Sequence, residues 1–303
     1  MANNNNSSKA KWQGHTGGGN FGQKALVLIL RIVPLRLIYC LMAFVVPFYI
    51  VFANKRYRAI YHYFRNHFAY PPFKAFVKTC YNHFIFGQIV IDRFAIFAGK
   101  RNVFDIEIEN YDCFDRLNNN KEGFIITSAH IGNYEIAGYM LKSHNKQFNT
   151  LVYASETLTV SQNRVEMMKE NNINLIPICD DISHILAASV ALQNGEILSA
   201  VVDRTNDSSK SIECSFLNGK ADFPVGVFML AATFNVEMIA VFSVKVSYNK
   251  YKIFIKHLNP DLPTTMSKQQ KAEQLIYSYI AHTEDILKLF PEQWFNFYDF
   301  WKD

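Results

Sequence analysis

The chain has 303 residues, half of them hydrophobic and 15% aromatic, which is enough for one large α/β domain or two small ones. Its 31 basic and 26 acidic residues leave a net charge of +5, and no zinc-finger spacing, RNA-recognition signature or basic heptad helix indicates nucleic-acid binding. The 26 Phe and 16 Tyr residues favour an apolar surface or groove. The five cysteines are scattered singly, which favours reduced thiols and a body that faces the cytosol.

Two segments precede the main body of the chain. Residues 1–23 are polar and Gly-rich, a composition that predicts a flexible tail. The next segment, 24–55, contains an uncharged stretch from Leu37 to Ala53, close to the short end of the roughly 17–25 residues that a membrane span needs. Pro47 would kink a helix there. We interpret segment 24–55 as a hydrophobic membrane anchor, either one short span or a helix lying in the interface, with a buried core helix as the alternative.

The main body, residues 56–303, begins with aromatic-rich helical spacing up to about residue 110, which predicts helices that cover one face of a sheet. Strands and helices then alternate, which predicts an α/β fold with a largely parallel central sheet flanked by helices. The predicted strands are Phe124–Ser128, Asn149–Ala154, Ile173–Ile178, Ile197–Asp203, Val236–Val246 and Tyr251–His257. The predicted helices are Asn133–His144, Leu158–Asn171, Ile182–Gln193, Val225–Phe234 and Ser267–Phe290, with Pro224 as a first helical residue.

The most informative motif is His130 with Glu135, directly after the first of these strands. A base with a neighbouring carboxylate suits chemistry in which an alcohol or amine loses a proton as it attacks an acyl group. The two side chains can meet only if His130 lies in the loop before a helix and Glu135 in its first turn. Gly132 eases that bend and Asn133 is a plausible helix N-cap. A local His–Glu hydrogen bond with no catalytic role is the simpler alternative.

Three further residues are candidates for substrate binding. Asp203 and Arg204 end an apolar strand that starts after Gly195, and functional groups gather at the carboxyl ends of parallel strands. The planar, permanently charged guanidinium of Arg204 suits a phosphate or carboxylate. Arg164, at the start of a predicted helix, is a candidate for an anionic head group. A surface Asp203–Arg204 pair and a solvated Arg164 are the alternatives.

The ordered set of motifs resembles the bacterial lipid A biosynthesis (late-acting) acyltransferases, a branch of the lysophospholipid acyltransferase superfamily. The family's motif is a His followed, after four residues, by Asp or Glu. His130 and Glu135 are similar to it and form an HX4E motif. Further blocks are similar to Ser155–Arg164, Gly195–Arg204, Phe223–Phe242 and the closing Pro291-Glu292-Gln293-Trp294. The third block reads Val202-Asp203-Arg204-Thr205 instead of the Glu-Gly-Thr-Arg of the glycerolipid branch. The aromatic closing segment is expected to pack over the sheet or to lie at the lipid interface.

The resemblance implies an acyltransferase domain over residues 56–303 that moves a fatty acyl chain from a thioester to a hydroxyl or amine of a lipid acceptor. His130 would be the general base and Glu135 would orient it, with Gly132 and Asn133 as further substrate-binding candidates. The implied donor is acyl carrier protein or coenzyme A, with no cofactor and no metal. The implied location is the bacterial inner membrane, with the catalytic domain facing the cytoplasm.

Several alternatives stay open. The acceptor is a lipid A-like precursor, an amino-acid lipid or a polyene pigment. A thioesterase would use water as acceptor, and a non-catalytic membrane lipid-binding protein would have no use for a base. A Gly-x-Ser-x-Gly elbow is absent, which disfavours a serine hydrolase.

Overall fold

The computed structural model describes residues 19–52, 54–153, 172–179, 181–205, 210–258, 263 and 265–302. A seven-stranded sheet has the order β1-β9-β8-β2-β5-β3-β4. Strands β2, β3, β4, β5 and β8 run parallel to one another, whereas β9 is antiparallel to β8, and β1 pairs parallel to β9. The strands are β1 Asp105–Glu109, β2 Phe124–Ser128, β3 Phe148–Tyr153, β4 Ile173–Ile178, β5 Ile197–Val201, β8 Met238–Lys245 and β9 Lys250–His257. The predicted fold class, a largely parallel sheet flanked by helices, is confirmed.

The helices of the described residues cover both faces of the sheet. They are α1 Gly19–Ile32, α2 Leu35–Phe52, α3 Asn54–His62, α4 Pro72–Phe97, α5 Tyr111–Asn119, α6 Tyr134–Met140, α7 Ser183–Gln193, α8 Gly226–Phe234 and α9 Lys268–Leu289. A π-helical turn, Tyr63–His67, follows α3, and 3-10 turns lie at Arg101–Val103 and Pro291–Gln293. The predicted helix Leu158–Asn171 lies outside the described residues.

A second, two-stranded sheet was missed by the sequence analysis. Strands β6 Ser211–Phe216 and β7 Gly219–Pro224 form an antiparallel hairpin. Its turn runs through Leu217 and Asn218, both at positive φ. Pro224 is the last residue of β7 and α8 starts at Gly226, so the prediction of Pro224 as a first helical residue is wrong. Pro224 pairs with Ser211 at the end of the hairpin, a strand-terminal position where a missing N–H does not interrupt the ladder.

The centre of the sheet is buried on both faces. All residues of β2 and β8 are buried, as expected for strands covered by helices on both sides. One hydrophobic cluster packs α7, α8, α9 and the hairpin on one face, and a second packs α1, α2, α5 and α6 on the other. This enclosure fixes the register of the central strands, and the register in turn sets which loop residues meet at their carboxyl ends.

The apolar N-terminal segment forms α1 and α2. Among the residues that the structure describes, no helix combines the length and the apolar character that a membrane crossing requires. Leu30, Leu35, Ile38 and Tyr39 are buried in the second cluster. The opposite side of α2 is exposed and apolar, with Phe44 at 74% and Phe52 at 84% exposure. The membrane anchor stays a prediction.

Candidate active site

His130 lies in the loop that joins β2 to α6. The strand ends at Ser128 and the helix starts at Tyr134, so the predicted placement of His130 before the helix and of Glu135 in its first turn agrees with the structure. Gly132 makes the bend at φ +56°, and a Cβ atom there would overlap the Ser243 carbonyl oxygen. Glycine is therefore required for both the backbone conformation and the close approach of β8.

Asn133 caps α6, as predicted. Its side-chain oxygen accepts the Ile136 N–H at 3.4 Å, and its own backbone N–H donates to the Ser243 carbonyl at 2.7 Å. The residue is fully buried. Neither Gly132 nor Asn133 belongs to the cavity wall described below. Their contacts hold the loop in place; a contact of either residue with substrate stays a prediction.

The side chain that contacts His130 Nδ1 is Asp203. Its Oδ1 lies 2.7 Å from Nδ1, and its Oδ2 accepts the His130 backbone N–H at 2.9 Å. The sheet register explains this contact, because Ser128 of β2 pairs with Val201 of β5. Two residues beyond these strand ends lie His130 and Asp203. The sequence analysis placed both residues at strand ends but assigned Asp203 to substrate.

Asp203 is held as a buried anion. Its side chain is 2% exposed and its Oδ2 also accepts the Trp294 indole N–H at 3.0 Å. Burial by itself raises the pKa of Asp203, but His130, Arg204 and Trp294 outweigh it and lower the pKa to about 2. An ionised carboxylate beside Nδ1 favours the tautomer that carries its proton there, so Nε2 holds the lone pair of the neutral ring.

The closing segment Pro291–Asn296 packs against the His130 loop. The Gly132 N–H donates to the Gln293 carbonyl at 2.8 Å, and the Phe295 N–H donates to the His130 carbonyl at 2.9 Å. The Gln293 side chain bonds both backbone groups of Lys245, at 2.8 and 2.7 Å. The Pro-x-Gln-Trp pattern therefore joins the His130 loop to the centre of the sheet, in agreement with the predicted packing over the sheet.

Glu135 lies on the same cavity as His130. Its carboxylate forms an ion pair with Arg93 of α4, with Nη1 and Oε1 3.3 Å apart, and its side chain is 7% exposed. The site therefore has two buried carboxylates, of which Asp203 contacts Nδ1 of the imidazole. The orienting of His130 by Glu135 stays a prediction. Arg93 was not identified from the sequence.

Arg204 contributes a positive charge to the cavity wall. Its Nη2 donates to the Phe295 carbonyl at 3.0 Å, and its guanidinium carbon lies 5.8 Å from the centre of the Tyr298 ring. Its Nε is buried with no hydrogen-bond partner in the described structure. An unsatisfied buried donor costs free energy, so it favours an anionic or carbonyl ligand. Arg164 lies outside the described residues.

The cavity has a volume of about 820 Å³, within the range of small-molecule sites. Polar groups from the His130 loop, the first turn of α6 and the strand ends converge on it, namely Ser128, His130, Glu135 and Arg204. Most of the remaining wall is apolar, including Ile126, Leu151, Ile178, Ile185, Val227 and Leu230. No cluster of His, Cys, Asp and Glu suited to a metal ion occurs among the described residues. The arrangement combines a base with an apolar pocket.

Comparison with known proteins gives one family. Residues 24–303 match the family model described as bacterial lipid A biosynthesis acyltransferase. No curated protein matches significantly. Among solved structures, the 1-acyl-sn-glycerophosphate (LPA) acyltransferase PlsC from Thermotoga maritima is similar with a TM-score of 0.41 and 15% identity, over 88% of this chain and 98% of that one.

Proposed function

The chain belongs to the bacterial lipid A biosynthesis acyltransferase family, and from this premise we propose that it transfers a fatty acyl chain from an acyl thioester to a hydroxyl or amine of a lipid acceptor. The observation that carries the proposal is the His130–Asp203 contact, 2.7 Å long, on the wall of an apolar cavity. A polar dyad beside an apolar pocket suits a reaction between a polar head and a long acyl chain.

The reaction proceeds without a covalent enzyme intermediate. The acceptor oxygen or nitrogen attacks the thioester carbonyl while His130 Nε2 takes its proton, and a carbon–oxygen or carbon–nitrogen bond forms. Collapse of the tetrahedral intermediate breaks the carbon–sulfur bond, and the imidazolium returns the proton to the departing thiolate. Asp203 stabilises the imidazolium between these steps. General base catalysis of this kind contributes about 10²–10⁴ in rate.

The two ends of the substrates are matched by different parts of the cavity. The apolar wall binds the acyl chain, since each buried CH₂ group contributes about 0.8 kcal/mol. Among the described residues, Arg204 and Lys210 are cationic side chains on that wall, suited to a phosphate of the donor arm or the acceptor. The donor is acyl carrier protein or coenzyme A, and the acceptor is a lipid A-like precursor, an amino-acid lipid or a polyene pigment.

Membrane contact is assigned to the exposed apolar side of α1 and α2. Ile32, Phe44 and Phe48 are 78%, 74% and 67% exposed, and the exposed Arg31 and Arg36 accompany them. Aromatic side chains with basic neighbours are typical of helices lying in a lipid interface. This surface supports an interfacial anchor, and the proposed location of that anchor is the cytoplasmic face of the inner membrane.

Vesicle sedimentation tests the interfacial anchor. We expect F44D/F48D to release the protein from vesicles that contain anionic lipid, whereas Leu289→Asp, at an equally exposed position on α9, has no effect. Equal binding by all three proteins would exclude α2 as the contact.

Purified protein tests the acyl transfer directly. Acyl-CoA and acyl carrier protein thioesters are incubated separately with a lipid extract, and the products are identified by mass. We expect a lipid that gains one acyl chain, no product from His130→Ala, and a rate lowered by about 10²–10⁴ in Asp203→Asn. Asp222→Asn is a matched control, because the Asp222 carboxylate lies on the hairpin and pairs with Lys302, at 2.7 Å, instead of with His130.

Three results would overturn the proposal. Normal turnover by His130→Ala would reject His130 as the general base. Rapid thioester hydrolysis without any lipid product would identify a thioesterase. Stoichiometric lipid binding without product would identify a carrier. Lipid analysis of a deletion strain, which would lack one acylated lipid, identifies the acceptor class.

A further inference from the structure

Arg93 of α4 contacts three consecutive residues where the His130 loop continues into α6. Its Nη1 lies 3.3 Å from Glu135 Oε1, its Nε donates to Asn133 Oδ1 at 3.4 Å, and its guanidinium carbon lies 4.9 Å from the Tyr134 ring centre. The Arg93 side chain is 21% exposed. One guanidinium thus touches the cap, the first helical residue and the carboxylate that follow His130.

The backbone that carries Arg93 is itself fixed. The preceding residue, Asp92, is fully buried and accepts hydrogen bonds from Lys245 of β8, Tyr251 of β9 and Tyr39 of α2. These contacts hold this turn of α4 against the sheet from several directions. The Arg93 guanidinium therefore extends to the loop from a rigid helical turn. Such rigid support is required to hold a contacting side chain in one orientation.

The two carboxylates of the site have different partners. Asp203 contacts His130 Nδ1, at the carboxyl ends of the strands. Glu135 meets a guanidinium, and a nearly buried carboxylate keeps its charge only when such a partner compensates the lost hydration. We propose that Arg93 is a positioning residue of the acyl transfer, which holds Glu135 ionised and oriented on the cavity wall beside His130. This inference rests on the proposed function.

The titratable groups around the Arg93–Glu135 ion pair lie on α6, β9, α4 and the His130 loop. Tyr134 and Tyr139 of α6, Tyr251 of β9 and Glu135 itself surround Arg93, and Asp92 precedes it on α4. His130 faces Tyr134 edge-on, with the ring centres 5.7 Å apart.

The test compares the steady-state kinetics of the wild type with those of three full-length variants, Arg93→Met, Arg93→Lys and Glu135→Gln. Methionine keeps the aliphatic packing and removes the charge. We expect Arg93→Met to lower kcat by about 10²-fold with KM changed by less than about twofold, since misplacement of a catalytic group acts on the chemical step. Lysine keeps the charge without the fork, so Arg93→Lys should recover part of the rate.

The pH profile separates positioning from simple support of the fold. Without the guanidinium, a nearly buried carboxylate takes up a proton more readily, so the acid limb of kcat in Arg93→Met should move to higher pH. Adding Glu135→Gln to Arg93→Met should cause no further loss, because both changes remove the same ionised, oriented carboxylate. A purely structural role would lower the fraction of folded protein and leave the pH profile of the remainder unchanged.

The outcomes are distinguishable. Wild-type kcat and pH profile in Arg93→Met, with His130→Ala inactive, would overturn the role of Arg93 and leave the proposed function standing. Full activity in His130→Ala would overturn the proposed function itself. If Arg93→Met does not fold, Arg93→Lys decides, because lysine keeps the charge that holds Glu135 ionised but lacks the fork that orients it. An unchanged kcat overturns the inference, and a lowered kcat of the folded variant with its acid limb in place supports it.

Discussion

The indole N–H of Trp294 donates to the same Asp203 oxygen that accepts the backbone N–H of His130. The carboxylate is thereby fixed on both oxygens, one by the imidazole and one by two N–H donors. This geometry holds the ring of His130 at its Nδ1 side, on the wall of the cavity. The site depends on a residue 91 positions away in the chain from the carboxylate that it orients.

Trp294→Phe tests this support. The change removes a hydrogen bond to a charged group, so we expect a loss of about 1.5–3 kcal/mol in the free energy of unfolding and a roughly tenfold fall in kcat from the freer carboxylate. Trp301→Phe is the control, because its indole donates at 2.9 Å to the Phe216 carbonyl instead. Urea unfolding and steady-state rates check both; an equal fall in kcat in the two variants would contradict the role of Trp294.

The low pKa of Asp203, about 2 against an ordinary 3.8, predicts a pH dependence of stability. A carboxyl whose pKa is lowered by folding contributes stability that is complete above its unfolded pKa and is lost as the pH falls through the folded value. We expect the unfolding free energy of the wild type to fall between about pH 4 and 2, and part of that fall to be missing in Asp203→Asn. Identical curves would contradict the ionised, buried carboxylate.

The buried ion pair of Lys245 and Asp92 predicts a large stability effect, since their side chains are 4% and 0% exposed. Lys245→Met leaves the Asp92 charge uncompensated, and we expect a loss of about 3–5 kcal/mol. Burial already raises the pKa of Asp92 against the effect of Lys245. In Lys245→Met the folded state therefore binds a proton on Asp92 more tightly than the unfolded chain, so lowering the pH should restore stability.

A double variant is the control for this pair. Lys245→Met with Asp92→Asn removes both charges, so thermal unfolding should show a smaller loss than Lys245→Met alone. A double variant as unstable as the single one would contradict an uncompensated charge as the cause.

Gly132→Ala tests the bend that delivers His130. The positive φ and the Ser243 carbonyl leave no place for a Cβ atom, so we expect a loss of at least about 1–3 kcal/mol and loss of activity. Gly138→Ala is the matched control for stability alone, because Gly138 lies within α6 with open space around its Cβ position and also lines the cavity. Replacing a helical glycine by alanine should stabilise by about 0.5–1 kcal/mol. Unchanged stability in Gly132→Ala would contradict the geometry.

Local chemistry predicts one half of the site from sequence. The strand, the glycine bend, the Asn133 cap and the position of Glu135 in the first turn of α6 all depend on neighbours within a few residues. Most central strands are found for the same reason, since continuous apolar runs between turn residues mark them. The edge strand β1 was missed although Asp105–Glu109 alternates charged and apolar residues.

Distant contacts account for what the sequence did not reveal. Asp203 reaches His130 through the register of β2 with β5, and Arg93 reaches Glu135 from a helix about 40 residues earlier. Spacing along the chain contains no information about such pairings. The hairpin was missed because its short strands have polar residues on one side and β7 ends in a proline. A strand-end rule applied to neighbouring strands would have suggested Asp203 as a partner of the histidine.

The segment Pro291–Asn296 supplies its support for the His130 loop from the far end of the chain. During translation the loop, the sheet and the cavity walls therefore leave the ribosome before the groups that align them. A nascent chain that stops short of Trp294 lacks the indole N–H that donates to Asp203 and the Phe295 N–H that donates to the His130 carbonyl, so we expect premature termination to lower acyl transfer even if the sheet has formed.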